Sequence, residues 1–303
     1  MKSKRIAFIW QGLEDMKEKW EDGLAMAMKQ LEKIYEVEYL EPEYDLDGYD
    51  ALIYWEAPCT INGENAQNYL KVKNHSTPKI LLFAGGPINP KWVEGFDTVV
   101  IESEINREEF ANFGIETTKA FGINTDLFKP YKVKKKYKAV HHGTCASWKR
   151  QWLLPQAFGE DSALIGRNQE KDSYPFIYSK ELGAKILGEL KGKELVKAVN
   201  SADVLVQSSD FWGGGQRATL EAMACGIPVI CMSDSPKNIE YIQASGGGLV
   251  SEPDPESIKR AYDDIMKDYQ TFSKRARDYV LQNWTWKHYA FNLNQAICNL
   301  KKK

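Results

Sequence analysis

Residues 213–230, GGGQRATLEAMACGIPVI, put three glycines, a helix start and one carboxylate, Glu221, close together. The stretch follows DVLVQSS (203–209), an apolar run that reads as a buried strand. Strand, glycine loop and helix start in that order turn unpaired backbone N–H groups outward, and the helix dipole there favours an anion. Gly213, Gly214 and Gly215 let a ligand approach the backbone closely, and Gln216, Thr219 and Leu220 continue the candidate binding segment. A carboxylate accepts two hydrogen bonds well, and the vicinal hydroxyls of a ribose or sugar present two donors. Loop and Glu221 together suit a nucleotide carrying phosphates and a ribose. The plainer alternative is a tight turn beside a solvated Glu221, because a glycine-loop pattern alone is a weak signal.

Other chemistries find less support. The five cysteines (Cys59, Cys145, Cys225, Cys231, Cys298) form no C-x-x-C pair and are odd in number, which fits reduced thiols in a cytoplasmic protein. The adjacent His141 and His142 lack metal-ligand spacing. YDLDGYD (44–50) offers Asp45 and Asp47, but well before any donor-type motif, so no metal is expected. A formal net charge of −2 and a pI near 6.2 give no global field for nucleic acid or an anionic membrane. No window approaches a membrane span, and the basic start MKSKRIAFIWQG has too short an apolar run for a secretory signal.

A chain of 303 residues suggests two domains. Strands are predicted at 5–10, 51–55, 79–85 and 97–102, with helices at 15–34, 64–73 and 106–112 between them. A second series follows, with strands at 136–143, 162–166, 185–187, 203–209 and 228–233. Helices at about 148–158, 193–200, 216–225 and 235–243 alternate with these strands, and the last third is helical at 254–267, 270–282 and 285–300. Continuous apolar strands with helical crossovers imply two doubly wound α/β units with parallel sheets. The seam falls near INTDLFKPYKVKKKYK (123–138), where Pro130 and six lysines interrupt the apolar pattern. KPYKVKKKYK (129–138) reads first as a solvated linker; with Tyr131 and Tyr137 interleaved, a patch for a polyanion is the sharper alternative. Ligands of such sheets sit beyond the carboxyl ends of the strands. That singles out Gln11–Gly12, Trp55–Glu56 and AGGP (84–87), including Gly85 and Gly86, as candidates in the first domain. Trp55 is a candidate to stack on a sugar ring.

ATLEAMACGIPVICMSDSPKNIEYI resembles the most diagnostic segment of the retaining GT-B glycosyltransferases, the large family 4 or group 1 enzymes. Further matches fall in order: VVIESEINREEFANFGI, FGINTDLFKP, HHGTCASWKRQWLLPQAF, ILGELKGKELVKAVNSADVLVQSS, GGGLVSEPDPESI and NWTWKHYA, covering roughly residues 97–292. The resemblance implies a GT-B fold of two Rossmann-like domains facing a cleft, an acceptor-side domain at 1–127 and a nucleotide-sugar domain at 128–303. The terminal helix would pack back on the first domain. It implies transfer of a sugar from a nucleotide diphosphate sugar, a UDP-sugar foremost, to an acceptor hydroxyl with retention and without a metal. The acceptor stays open among a glycan, a lipid, a small molecule and a nucleic acid.

Carried onto this chain, the resemblance gives Glu221 the ribose and gives Lys149, six residues after Gly143, the diphosphate. Gly188, Glu189 and Leu190 would border the base, and Glu240 matches a frequent family glutamate. Two departures stand out. The family's first glutamate falls at Gly213, where Asp210 or a backbone group is the expected substitute, and its arginine after the first glycine is Thr144. Arg150 or Arg217 is the expected source of the missing charge. Two rivals remain: a nucleotide-sugar epimerase or hydrolase on the same fold, and a donor-binding protein with decayed catalysis.

Overall fold

The computed structural model describes residues 4–10, 22–41, 44–56, 64–83, 90–167, 174–210, 214 and 216–300. They form two compact units, Met1–Gly122 with Thr285–Lys303, and Ile123–Trp284. The chain therefore passes between units twice, at 122–123 and at 284–285.

The first unit holds strands β1 (Arg5–Ile9), β2 (Glu36–Leu40), β3 (Ala51–Glu56), β4 (Lys79–Phe83), β5 (Thr98–Ile101) and β6 (Thr117–Lys119). They pair in parallel in the order β2-β1-β3-β4-β5-β6. Between them run α1 (Gly23–Leu31), α2 (Glu64–Asn74), the short α3 (Pro90–Val93) and α4 (Glu104–Ala111). The central strands are mostly apolar because both faces are covered, and KILLF of β4 is buried at every position, Lys79 included. Ser103, fully buried, caps α4 by accepting the Ile105 N–H at 3.2 Å. Of the helix predicted at 15–34, the described part is α1, which buries Leu24, Met28 and Leu31; residues 15–21 lie outside the described residues.

The second unit holds β7 (Tyr137–His142), β8 (Ser162–Ile165), β9 (Lys185–Gly188), β10 (Ala202–Gln207), β11 (Val229–Met232) and β12 (Gly248–Ser251). Its order, β12-β11-β10-β7-β8-β9, is again parallel throughout. The order reverses between β7 and β10, and a doubly wound sheet binds ligands at the carboxyl ends of such a pair. The helices of this unit are α5 (Leu153–Phe158), α6 (Tyr174–Glu181), α7 (Gly192–Asn200), α8 (Gln216–Ala224), α9 (Pro236–Ser245), α10 (Pro255–Lys267) and α11 (Tyr269–Asn283). The chain then returns to the first unit in α12 (Trp286–Asn299), which packs on α1. Gly122 lies where the strand-end loop meets α12: a Cβ there would stand 2.4 Å from the Thr285 carbonyl oxygen.

The elements β2, β6, β12 and α6, like the short α3, were not expected from the sequence. β2 reads EVEYL, charged and apolar in alternation on an edge, and β6 has three residues, too short for a pattern. β12 is four residues with two left partly or fully exposed, and YPFIYSKE of α6 has no apolar face. The helix expected over 148–158 is two pieces, a 3₁₀ turn at Ser147–Lys149 and then α5. Arg150 divides them in the left-handed region at φ 47°. The basic run 129–138 is tied down as it enters β7. Asn200 accepts the Tyr131 N–H at 2.9 Å and donates to the Lys129 carbonyl at 3.1 Å, Lys135 bonds the Ala202 carbonyl, and Lys138 pairs with Asp161 at 2.9 Å. Lys129, Lys132, Lys134 and Lys136 remain exposed.

Candidate active site

The site is built on the β7–β10 reversal and on α8. Ala, Leu, Glu and Met favour a helix, and α8 buries Ala218, Thr219, Leu220, Glu221, Ala222, Met223 and Ala224, so it is held on nearly all sides. It ends in a Schellman motif. Gly226, at φ 71°, donates to the Met223 carbonyl at 2.9 Å, and Ile227 donates to that of Ala222 at 3.0 Å. Helix α11 secures this end through Ser273 on the Gly226 carbonyl at 2.6 Å and Arg277 on the Ala224 carbonyl, a cation at a helix C-terminus.

The start of α8 is held by Asn238 of α9, which is fully buried. Its amide nitrogen donates to the Gly214 carbonyl at 3.0 Å and contacts Ser235 Oγ at 2.9 Å, while its oxygen accepts the Thr219 hydroxyl at 2.7 Å. The glycine loop is thereby fixed to two helices at its one described residue, Gly214, at φ 59°. Gly213 and Gly215 lie outside the described residues, as do Gly12 and Gly86 with Gln11 and Gly85.

The loop after β7 is set by a second buried network. His141 is 1% exposed and is pushed down to about 3 by burial, then by the nearby Lys149, so it is neutral. Its Nδ1 donates to the Val206 carbonyl at 3.0 Å, which leaves Nε2 as the acceptor facing the Gln151 amide at 3.5 Å. That amide also donates to the Thr144 carbonyl at 2.8 Å. Gly143 donates to the Ile165 carbonyl and Gly166 to that of Gly188, each at 2.9 Å, so glycines close the ends of β7, β8 and β9 side by side. Gly166 has no substitute: a Cβ there would stand 1.9 Å from the Gly143 carbonyl oxygen.

Lys149 ends the 3₁₀ turn, which is held by the segment that follows β10. Ser208 donates to the Lys149 carbonyl at 2.6 Å and Asp210 N–H to the Trp148 carbonyl at 3.1 Å. The Lys149 ammonium is half-buried; desolvation lowers it to about 8, against an opposing pull from the Asp210 carboxylate. At neutral pH it is a partly desolvated cation, suited to an anionic ligand.

Glu221 is 4% exposed. His142, the last residue of β7, faces it from the neighbouring strand, Nδ1 to Oε2 at 3.3 Å. The two atoms are close but not aligned as a hydrogen bond, and both are buried without a directed partner.

The structure thus gathers Lys149, Gly143, Thr144, Gly214, Gln216 and Glu221 around the ends of β7 and β10, with Gly188 and the half-buried Leu190 at the end of β9. It corrects three expectations. Arg150 is not free to meet a phosphate: its guanidinium makes two 2.7 Å bonds to Asp234 and a 2.9 Å bond to the Ser208 carbonyl. The Thr219 hydroxyl is spent on Asn238, and Leu220 is 0% exposed, so neither side chain faces a ligand. Arg217, on the second residue of α8, is exposed. Glu240 lies in the second turn of α9, whose N-cap position is Ser235. In the first unit the half-buried Trp55 meets Trp10 edge to face, with ring centroids 4.7 Å apart. Sequence reasoning did not find His142, His141, Gln151, Asn238 or Gly166. Among the described residues no three His, Cys, Asp or Glu side chains cluster as metal ligands, and no helix is long and apolar enough to cross a membrane.

Residues 125–280 match the family model described as glycosyl transferases group 1. No curated protein matches the chain in sequence. Among solved structures it is similar to a sucrose-phosphate synthase from Thermosynechococcus elongatus, at 14% identity and TM-score 0.75, over 97% of this chain and 98% of the other. It is also similar to the Anabaena protein HepE in complex with UDP and glucose, at 14% identity and TM-score 0.71, over 98% and 100% of the two chains. A glycosyltransferase from Rickettsia africae is similar at 14% identity and TM-score 0.72, over 98% of each chain. At these identities the structural likeness establishes the fold, that of the GT-B glycosyltransferases.

Proposed function

This chain belongs to the glycosyl transferases of group 1, and on that premise we propose that it moves a sugar from a nucleotide diphosphate sugar to an acceptor hydroxyl with retention of configuration. The observation that carries the reading is the buried Glu221, its Oε2 facing His142, on the helix that starts at the glycine loop. Glu221 takes the ribose hydroxyls. The start of α8 and the Lys149 ammonium take the diphosphate, with Arg217 the nearest exposed cation on α8. As the bond between the anomeric carbon and the diphosphate oxygen breaks, negative charge grows on that oxygen, and these groups stabilise it. The acceptor oxygen bonds to the anomeric carbon, and its proton passes to the leaving phosphate. No metal is part of this scheme.

UDP is the nucleotide proposed, supported by the UDP in the HepE complex. The acceptor is a glycan, lipid, small molecule or nucleic acid, and the enzyme is proposed to work in the cytoplasm. Gly213 in place of a glutamate and Thr144 in place of an arginine favour one second reading, a donor-binding protein without transfer.

The test is incubation with UDP-, GDP- and ADP-sugars, with and without cell extract, following release of nucleoside diphosphate. Acceptor-dependent release is expected. Acceptor-independent turnover would mark an epimerase or hydrolase, and binding without turnover would mark the second reading.

A further inference from the structure

We propose that His142 is a positioning residue for the donor nucleoside: it holds one oxygen of Glu221 so that the other is presented to a ribose hydroxyl, and it thereby sets the preference for ribose over deoxyribose. The inference rests on the ribose reading of Glu221 and goes beyond it. A carboxylate sealed from water needs a compensating neighbour. Among the described residues the neighbour recorded within ion-pair distance of Glu221 is His142, which arrives from β7 while Glu221 arrives from α8. The His142 side chain is 18% exposed and that of Glu221 6%, so the pair is almost closed. The facing atoms, Nδ1 and Oε2, are wholly covered, so a ligand does not reach them, and a hydroxyl must meet the other oxygen, Oε1.

The pair is also unfinished. At 3.3 Å without alignment, a small rotation of either side chain makes or breaks the Nδ1–Oε2 bond. A hydroxyl that donates to Oε1 draws the carboxylate into one orientation, and the imidazole then completes the bond on the far side. Histidine supplies what an apolar residue at the end of β7 does not: a donor at the Nδ1 position, and the option of a positive charge opposite the carboxylate. His141, next along the strand, has no such role, because both of its nitrogens are engaged with Val206 and Gln151.

The experiment titrates UDP, 2′-deoxy-UDP and 3′-deoxy-UDP into the full chain and into His142→Leu and His142→Asn. Wild type is expected to prefer UDP over at least one deoxy analogue by roughly tenfold or more, the size of a hydrogen bond to a charged group. His142→Leu should lose most of that preference. His142→Asn, whose amide nitrogen stands where Nδ1 stands, should keep it. A merely structural role would weaken all three nucleotides alike and leave their ratio unchanged. Should the leucine variant not fold, His142→Gln replaces it, since its amide reaches the Nε2 position and should fail to restore the preference. A wild-type ratio in His142→Leu or His142→Gln overturns the proposal, as does a His142→Asn that behaves like leucine. If Glu221→Ala abolishes the preference while His142→Leu keeps it, the role of His142 alone falls. If wild type does not bind UDP, the ribose reading falls first and takes this one with it.

Discussion

Raising the pH from 7 to 9 should weaken nucleoside diphosphate binding through Lys149. Its ammonium is half-buried and lowered to about 8 by desolvation. The sign follows from the charge. A diphosphate binds the protonated lysine, so affinity is full only well below pH 8 and declines as pH rises through that value. A bound diphosphate restores the ammonium toward the ordinary lysine range near 10.4. The protonated fraction in the free protein falls from about nine-tenths at pH 7 to about one-tenth at pH 9, which costs up to about tenfold in affinity, or ~1.4 kcal/mol. The stability of the free protein moves oppositely: the unfolded chain holds the Lys149 proton up to a higher pH than the fold does, so this group adds stability as pH rises from 8 toward 10. The assay is calorimetric titration of UDP between pH 7 and 9.5, a range in which its terminal phosphate, with a pKa of about 6, stays ionised. Lys149→Met should bind more weakly at pH 7 and lose the pH dependence, and Lys149→Arg should bind at both ends of the range. A flat wild-type profile, or the same slope in Lys149→Met, would refute the placement of this ammonium on the diphosphate.

Three further outcomes are expected. Asn238→Ala strands the Gly214 carbonyl and the Thr219 hydroxyl in the interior, so chemical unfolding should show a loss of about 2–3 kcal/mol. The same variant should bind UDP more weakly, because the glycine loop loses its anchor. Arg150→Lys removes the two-point contact with Asp234, so unfolding midpoints should drop by the equivalent of ~1 kcal/mol, while UDP affinity stays within threefold. Gly166→Ala forces its Cβ against the Gly143 carbonyl and should both destabilise the fold, by about 2–4 kcal/mol, and weaken nucleotide binding.

What the sequence shows of this protein is what local pattern can carry. Buried parallel strands carry apolar runs, so β4, β10 and β11 could be read directly, and edge strands such as β2 and β6 could not. Glu221 stood out because its helix, loop and preceding strand are contiguous in the chain. His142 gave no comparable signal: its partner lies on α8, and a neighbouring pair of histidines suggests metal chemistry before it suggests a carboxylate. Asn238 is one polar residue in a helix start, and only the tertiary packing sets it under Gly214. Arg150 shows the converse error. A cation next to Lys149 reads as a phosphate ligand until the fold brings Asp234, 84 positions away, against it.

The most direct test of the donor site is a crystal structure of this chain with UDP. The diphosphate is expected against the start of α8 and within hydrogen-bond distance of the Lys149 ammonium, with a ribose hydroxyl donating to Glu221. UDP bound away from the ends of β7 and β10, or a ribose that does not meet Glu221, would contradict it.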